Sequence, residues 1–181
     1  MISLLSQPFL FLRHGETDAN VANRISGFTD DPLNATGRAQ AQAAARLLAG
    51  RGIAAIWHSP LARAADTARA VAATTGAPLI ALPGLAERNW GIWEGAPRSV
   101  LVREATPQGG EGPADFTARI RAALAQITGP FPVLIVAHSG TAREIHGWLS
   151  AAPFQRPANA NPIEWRPDGC HWISTELSPN R

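Results

Sequence analysis

Lysine and tyrosine are absent from this chain of 181 residues, and cysteine and methionine occur once each. Without lysine there can be no Schiff-base enzyme, no pyridoxal phosphate anchor and no Walker-type phosphate loop, whose lysine reaches the nucleotide phosphates. The lone Cys170 can form neither an internal disulfide nor a cysteine-rich zinc site, and a reducing cytoplasm is the simplest compartment that fits it. Excess charge is lacking too: 16 basic side chains, all arginine, against 14 acidic ones leave a net charge of +2. The sequence pI of 9.9 follows partly from arginine staying protonated far into alkaline solution. These arginines are scattered, with no runs and no interleaved aromatics, so no nucleic-acid partner is expected. No segment approaches the roughly 20 apolar residues of a membrane helix. Met1 to Leu12 lacks the basic stretch and small-residue cleavage site of a secretory signal, so a cytoplasmic protein without a membrane partner is expected.

What is present reads as one domain over residues 1–181, long enough to close a single hydrophobic core. Phe9 to Leu12 is a short apolar run that stops at Arg13-His14-Gly15, the pattern of a buried strand ending in a polar turn. Asn34 is a good N-cap for a helix over Ala35 to Ala49, which Gly50 stops. Ile53 to His58 reads as a strand, Pro60 to about Gly76 as a helix carrying Arg63 and Thr67, and Pro78 to Leu82 as extended. Ala96 to Gly112, rich in proline and glycine, reads as a loop with room for one helical turn. Phe116, Ile120, Leu124 and Ile127 share one face of a helix over Ala114 to Ile127. Pro132 to Ala137 is a second buried strand ending at a histidine, Thr141 to Leu149 a helix, and Asn159 to Leu177 one or two edge strands. Strands alternating with helices predict an α/β three-layer sandwich, a mainly parallel central sheet flanked by helices.

Two strands therefore deliver His14 and His138 to the edge where open α/β sheets hold their ligands. Arg13 stands beside His14, and Arg63 starts the helix after the second strand, so two guanidinium groups accompany two imidazoles. Guanidinium matches phosphate oxygens in a bidentate geometry and can stabilise the charge spread over a transferring phosphoryl group. No histidine and acidic cluster has metal-ligand spacing, the zinc-protease His-Glu-x-x-His pattern is missing, and neither a metal nor another cofactor is expected. Rival phosphatase nucleophiles are missing as well: there is no Asp-x-Asp pair, and no arginine lies six positions after Cys170. His58 reads as structural, and His146 and His171 offer no partner.

The order of these segments resembles the histidine phosphatase family, the group that includes cofactor-dependent phosphoglycerate mutase. Arg13-His14-Gly15 with Glu16-Thr17-Asp18-Ala19-Asn20 is similar to its first motif, and Arg24 to Phe28, Asp31-Pro32-Leu33 and Gly37 continue it. Ser59-Pro60-Leu61-Ala62-Arg63 with Thr67-Ala68 resembles its second motif, Leu85-Ala86-Glu87 with Gly91 to Gly95 its third, and Val136-Ala137-His138-Ser139-Gly140 its last. The resemblance spans nearly the whole chain and implies a phosphoglycerate mutase-like fold and a phosphomonoester hydrolase working through a phosphohistidine. It implies His14 as nucleophile, with Arg13, Arg63, Asn20 and His138 around the phosphoryl oxygens, His138 being cationic or a hydrogen-bond donor. It also implies Ser26, Gly27 and Ser139 as substrate-binding residues, and amides of the helix start after Ser139 are expected to add to the pocket. Glu87 is the expected proton donor to the leaving group and base for the attacking water, which favours an acidic optimum; Glu94 is the competing acid, but its position after Trp93 reads more as a packing and turn motif.

Only Gly95 to Pro113 separates the acid region from the next helix, so the insertion capping the site is short compared with family mutases. A mutase must keep water from its phosphoenzyme, which disfavours that reading, although Arg98 or Arg103 could mimic the arginines that grip a substrate carboxylate. The family's Gly-Glu-Ser element survives only as Gly110-Glu111-Gly112. The expected partner is a phosphorylated small molecule, with a phosphoprotein as the second candidate and no single substrate singled out. A non-catalytic phosphate sensor or scaffold is the remaining alternative, disfavoured because Arg13, His14, Arg63, Glu87 and His138 are all present.

Overall fold

The strand Phe9–Arg13 (β1) is buried at all five positions, which requires cover on both faces and a central place in a sheet. In the computed structural model, which describes residues 4–178, it stands inside a six-stranded sheet. The other strands are Ala55–His58 (β2), Leu79–Ala81 (β3), Val133–Ala137 (β4), Pro162–Asp168 (β5) and His171–Glu176 (β6), in spatial order β3-β2-β4-β1-β5-β6. The first four of that order run parallel, while β5 pairs antiparallel with β1 and β6 with β5. Successive side chains of β1 and β4 point to opposite faces. Phe9, Phe11, Val133 and Ile135 pack with Phe116, Ile120 and Leu124 of helix α4 (Pro113–Gln126) and with Ile145 of α5 (Ser139–Leu149). Leu10, Leu12, Leu134 and Val136 meet Ala44 and Leu48 of α2 (Ala35–Leu48) and Ala64, Ala68 and Val71 of α3 (Ala62–Thr75). Two apolar layers thus enclose the sheet, and truncating a fully buried member such as Leu12 to alanine should cost about 2–5 kcal/mol.

The expected elements form, with shifted ends. Asn34 caps α2, its Oδ1 accepting from the Gly37 amide at 2.8 Å. Helix α3 starts at Ala62 rather than Pro60, because the Asp30 carboxylate accepts from the Ala62 amide at 2.6 Å and Ser59 Oγ from that of Leu61 at 3.3 Å. Gly76, at a φ of 72°, ends it in the left-handed region. A short helix over Asp18–Val21 (α1) was not expected; Thr17 and Asn20 close it in a reciprocal capping box. Between β3 and α4 the chain makes only three 3-10 turns, at Pro83–Leu85, Gly91–Trp93 and Arg98–Val100, so the covering segment over the sheet edge is short. No helix among the described residues is long and apolar enough to cross a membrane.

Register decides what the sheet presents at its C-terminal edge. Arg13 pairs with Ala137 and the His14 amide donates to the Ala137 carbonyl at 3.0 Å, so His14 and His138 leave neighbouring strands side by side. Likewise the Ser59 amide donates to Val136 at 3.0 Å, bringing the end of β2 alongside.

Candidate active site

The ring of His14 is buried, and its Nδ1 lies 2.7 Å from the Gly15 carbonyl. A carbonyl can only accept, so the imidazole proton sits on Nδ1 and the Nε2 lone pair is left free. The turn that places this ring depends on glycine: a Cβ on Gly15 would overlap the Gly37 carbonyl, and one on Gly37 would overlap the Glu16 carbonyl. The start of α2 therefore presses directly on the chain after His14. The Gly15 amide donates to Thr67 Oγ1 at 3.0 Å, and that hydroxyl donates to the Arg63 carbonyl at 2.7 Å, tying the loop to α3.

Both motif arginines are almost wholly buried. Arg63 donates to the carbonyls of Gly27 at 2.8 Å and Thr29 at 2.9 Å, and Arg13 to that of Pro157 at 2.9 Å. Each keeps its Nε buried without a partner, as do the Ser26 hydroxyl and Nδ1 of His138. The His138 ring lies 5.2 Å from that of His14, centroid to centroid, and its Nε2 is 2.7 Å from Ser59 Oγ. Burial, followed by the charges of Arg63 and Arg13, holds the His14 imidazole well below its ordinary value. For His138 the causes are burial, then Arg63, then His14. Both rings are neutral near pH 7, so of the two expected states of His138 the site favours the neutral donor over the cation. Burial and then Arg156 push the Arg13 guanidinium down to about 9, still protonated at neutral pH.

The two candidate acids have different surroundings. Glu87 Oε2 accepts from the Gly140 amide at 3.0 Å and Oε1 from its neighbour Arg88 at 2.9 Å. That corrects one expectation: the Gly140 amide at the start of α5 is occupied by Glu87 rather than turned to the pocket. Glu94 is a clamp, accepting from the amides of Phe28, Thr29 and Trp90 at 2.7–3.0 Å and from the Thr29 hydroxyl, as a packing and turn residue would. His58 donates to the Ser59 carbonyl at 2.9 Å and lines no described cavity, in keeping with a structural part. His146 corrects a second expectation, since its ring does have partners, Phe154 at 5.5 Å and Trp165 at 6.1 Å. His171 is exposed on β6.

Arg13, His14, Asn20, Ser26, Gly27 and Arg63 line one narrow cavity. Glu87 and Ser139 line both this cavity and an adjoining one of about 300 Å³. Glu87 therefore stands at the junction between a cationic end and a roomier one. Sequence reasoning missed Asn159, whose Nδ2 donates to the His14 carbonyl at 2.9 Å and to Asn20 Oδ1 at 3.0 Å. It also missed Arg156, on the wall of the narrow cavity. Both come from the irregular run between α5 and β5, which returns to the sheet where the Ala160 amide meets the Arg13 carbonyl at 2.9 Å. Their only signal was an arginine and an asparagine just before the strand that pairs with β1.

Residues 9–172 match the histidine phosphatase superfamily (branch 1). Glucosyl-3-phosphoglycerate phosphatase of Mycobacterium tuberculosis is 33% identical over 172 residues, covering 82% of this chain and 75% of its own. Phosphatase PhoE of Bacillus subtilis is 34% identical over 145 residues, covering 77% of this chain and 74% of its own. A solved structure of the mycobacterial glucosyl-3-phosphoglycerate phosphatase in complex with VO3 superposes with a TM-score of 0.82 at 29% identity, covering 94% of this chain and 98% of that one. With the two histidines and two arginines gathered at one sheet edge, the chain belongs to the histidine phosphatase superfamily and is an enzyme that acts as a phosphatase.

Proposed function

We propose that the protein is a metal-independent phosphomonoester hydrolase that passes the phosphoryl group through His14 to water. One observation carries this reading: Nε of Arg13, Nε of Arg63, Nδ1 of His138 and the Ser26 hydroxyl are buried without partners around one imidazole whose Nε2 is free. Buried polar groups are normally paired, and nitrogen donors of this kind are satisfied together by a group that offers several acceptor oxygens. A phosphoryl group is such a ligand, and the two guanidinium groups supply the positive charge its transfer requires.

In the first step the Nε2 lone pair of neutral His14 attacks phosphorus, a bond forms between nitrogen and phosphorus, and the ester bond to the leaving oxygen breaks. The Gly15 carbonyl takes up the positive character of the ring through Nδ1–H. Arg13, Arg63 and Nδ1–H of His138 stabilise the equatorial oxygens, Ser59 orienting the second ring through Nε2. Protonated Glu87 delivers its proton to the departing alkoxide, and its position between the two cavities suits that part. In the second step water attacks phosphorus while Glu87 takes its proton, the nitrogen–phosphorus bond breaks with its electron pair returning to the His14 ring, and phosphate leaves. Asn20 is oriented for the pocket by Asn159.

A phosphorylated small molecule fits the adjoining 300 Å³ better than a folded phosphoprotein does, and a reducing cytoplasm is the proposed compartment for a chain whose single Cys170 is exposed. The relative's complex with VO3, an oxyanion, supports the reading. The test is turnover of p-nitrophenyl phosphate with EDTA present. Phosphate release that persists in EDTA and is inhibited by orthovanadate is expected. Phosphate binding without turnover would point to a sensor, and isomerisation of 3-phosphoglycerate without phosphate release to a mutase.

A further inference from the structure

Arg156 lines the phosphoryl pocket, but its neighbours Gln155 and Pro157 line a different cavity, of about 340 Å³, that the reaction above leaves unused. Its volume falls within the roughly 300–1,000 Å³ of small-molecule sites. Its walls include Phe11 of β1, His146 of α5, Phe154, Trp165 of β5, and Ser174 and Glu176 of β6. The His146 ring stands nearly perpendicular to both Phe154 and Trp165, at interplanar angles of 75° and 74°, so three rings form a corner. Phe9 stacks on Trp165 at 6.4 Å and Arg143 lies 4.1 Å over Phe154. Neither of these two lines the cavity, so the corner is held from behind.

The lining defines what the cavity accepts. No arginine lines it, and Glu176 is its one ionised side chain, because burial and then the Arg143 charge hold His146 below its ordinary value. An anion finds no counter-charge there. An organic cation is opposed by Arg143 behind Phe154 and by Arg156 next to Gln155. An uncharged molecule meets neither obstacle. A flat ring suits the aromatic corner. A polar ring edge suits His146, Gln155, Ser174 and Glu176, whose side chains make no hydrogen bond among the described residues.

Three elements run from this cavity to the phosphoryl pocket. Phe11 precedes Arg13 by two positions on β1. Ala142 lines the cavity one turn after His138, its amide donating to the His138 carbonyl at 3.0 Å. The segment 150–157, which has no helix or strand, leads to Pro157, whose carbonyl accepts from Arg13 at 2.9 Å, and on to Asn159, which holds Asn20 and the His14 carbonyl. An occupant packed on Phe154 and Pro157 restrains this segment where it serves Arg13 and Asn20, so it favours the arrangement that binds a phosphoryl group.

We infer that the cavity bounded by Phe154, His146 and Trp165 is an effector site for a small uncharged heteroaromatic molecule, of the nucleobase or nucleoside class, whose binding tightens the phosphoryl pocket. The site goes beyond the phosphatase reading and is tested without turnover.

Adenosine is the probe, and titration calorimetry the measurement. Binding is expected with a Kd on the order of 0.1 mM, as a ligand of its size reaches at ordinary efficiency. Saturating inorganic phosphate should tighten adenosine binding about fivefold, and adenosine should tighten phosphate by the same factor, because coupling between two sites is reciprocal. S174W fills the cavity from an exposed position on the edge strand, so it should abolish adenosine binding with circular dichroism and p-nitrophenyl phosphate turnover unchanged. Q155A, at an exposed position of the irregular segment, should weaken binding several-fold without disturbing the sheet. No adenosine binding, or binding that both variants leave intact, would overturn the site. Binding that the variants weaken but phosphate leaves unchanged would overturn its effector role. Absent turnover of p-nitrophenyl phosphate would count against the phosphatase reading alone.

Discussion

The edge of the sheet and the mouth above it are built in opposite ways. At the edge, His14, Arg63, Thr67 and His138 are buried, and hydrogen bonds to Gly15, Gly27, Thr29 and Ser59 fix them. At the mouth, the chain over 90–105 and 150–161 is turns and irregular backbone, and it exposes Ile92, Val100 and Val102. Phosphoryl transfer tolerates little displacement of the nucleophile from the phosphorus it attacks, so its groups belong on packed strands and helix starts. Recognition of a leaving group tolerates more, and loops can vary without disturbing the core.

Substitutions on the two sides should separate accordingly. The largest effect is expected for H14A, a loss of turnover on the order of ten-thousand-fold with an unchanged circular dichroism spectrum. Activity within tenfold of the parent would place the nucleophile elsewhere. Next, E87Q should lower kcat about a hundredfold on an alkyl phosphate but only a few-fold on p-nitrophenyl phosphate, whose phenolate leaves without a proton. Equal losses on the two would remove Glu87 from the acid role.

Stability should follow the same division. His14 and His138 are held neutral in the folded protein below their ordinary value, whereas in the unfolded chain they take up protons near pH 6.5. The unfolded state thus binds more protons as the pH falls, so their contribution is fully present above about pH 6.5 and is lost on acidification. The slope is up to about 1.4 kcal/mol per pH unit for each ring. Urea melts at pH 7.5 and 5.5 measure it, and H14A should remove about half. T67V, which strands the Gly15 amide in buried surroundings, should cost about 1–3 kcal/mol in the same melts. Smallest of all, V100S at the exposed mouth should stay within about 0.5 kcal/mol and leave p-nitrophenyl phosphate turnover unchanged. A large loss there would mean that the mouth carries part of the fold's stability.

Legibility in the sequence followed that contrast. Buried parallel strands announce themselves as short apolar runs, so β1 and β4 and the histidines ending them were readable, as were the Asn34 cap and the Gly76 stop. Arg63 and Glu87 were readable only through ordered motifs, because a lone arginine on a helix or a lone glutamate in a turn has no distinguishing pattern. Asn159 and Arg156 escaped, since they act through chain return: Asn159 meets His14 across 145 positions, and the Pro157 carbonyl meets Arg13 across 144. Periodicity cannot report a pairing made by irregular backbone that folds back onto a distant strand. The amide of Gly140 was misassigned for a related reason, because only the structure shows that a carboxylate from residue 87 already occupies it.

The most direct test of the mechanism is rapid quenching of the enzyme during turnover of a substrate labelled in its phosphoryl group. The phosphohistidine route predicts label on His14, stable in base and lost in acid, formed and consumed at rates consistent with kcat and absent from H14A. Turnover at full rate with no label on that imidazole, or label that persists in H14A, would contradict it.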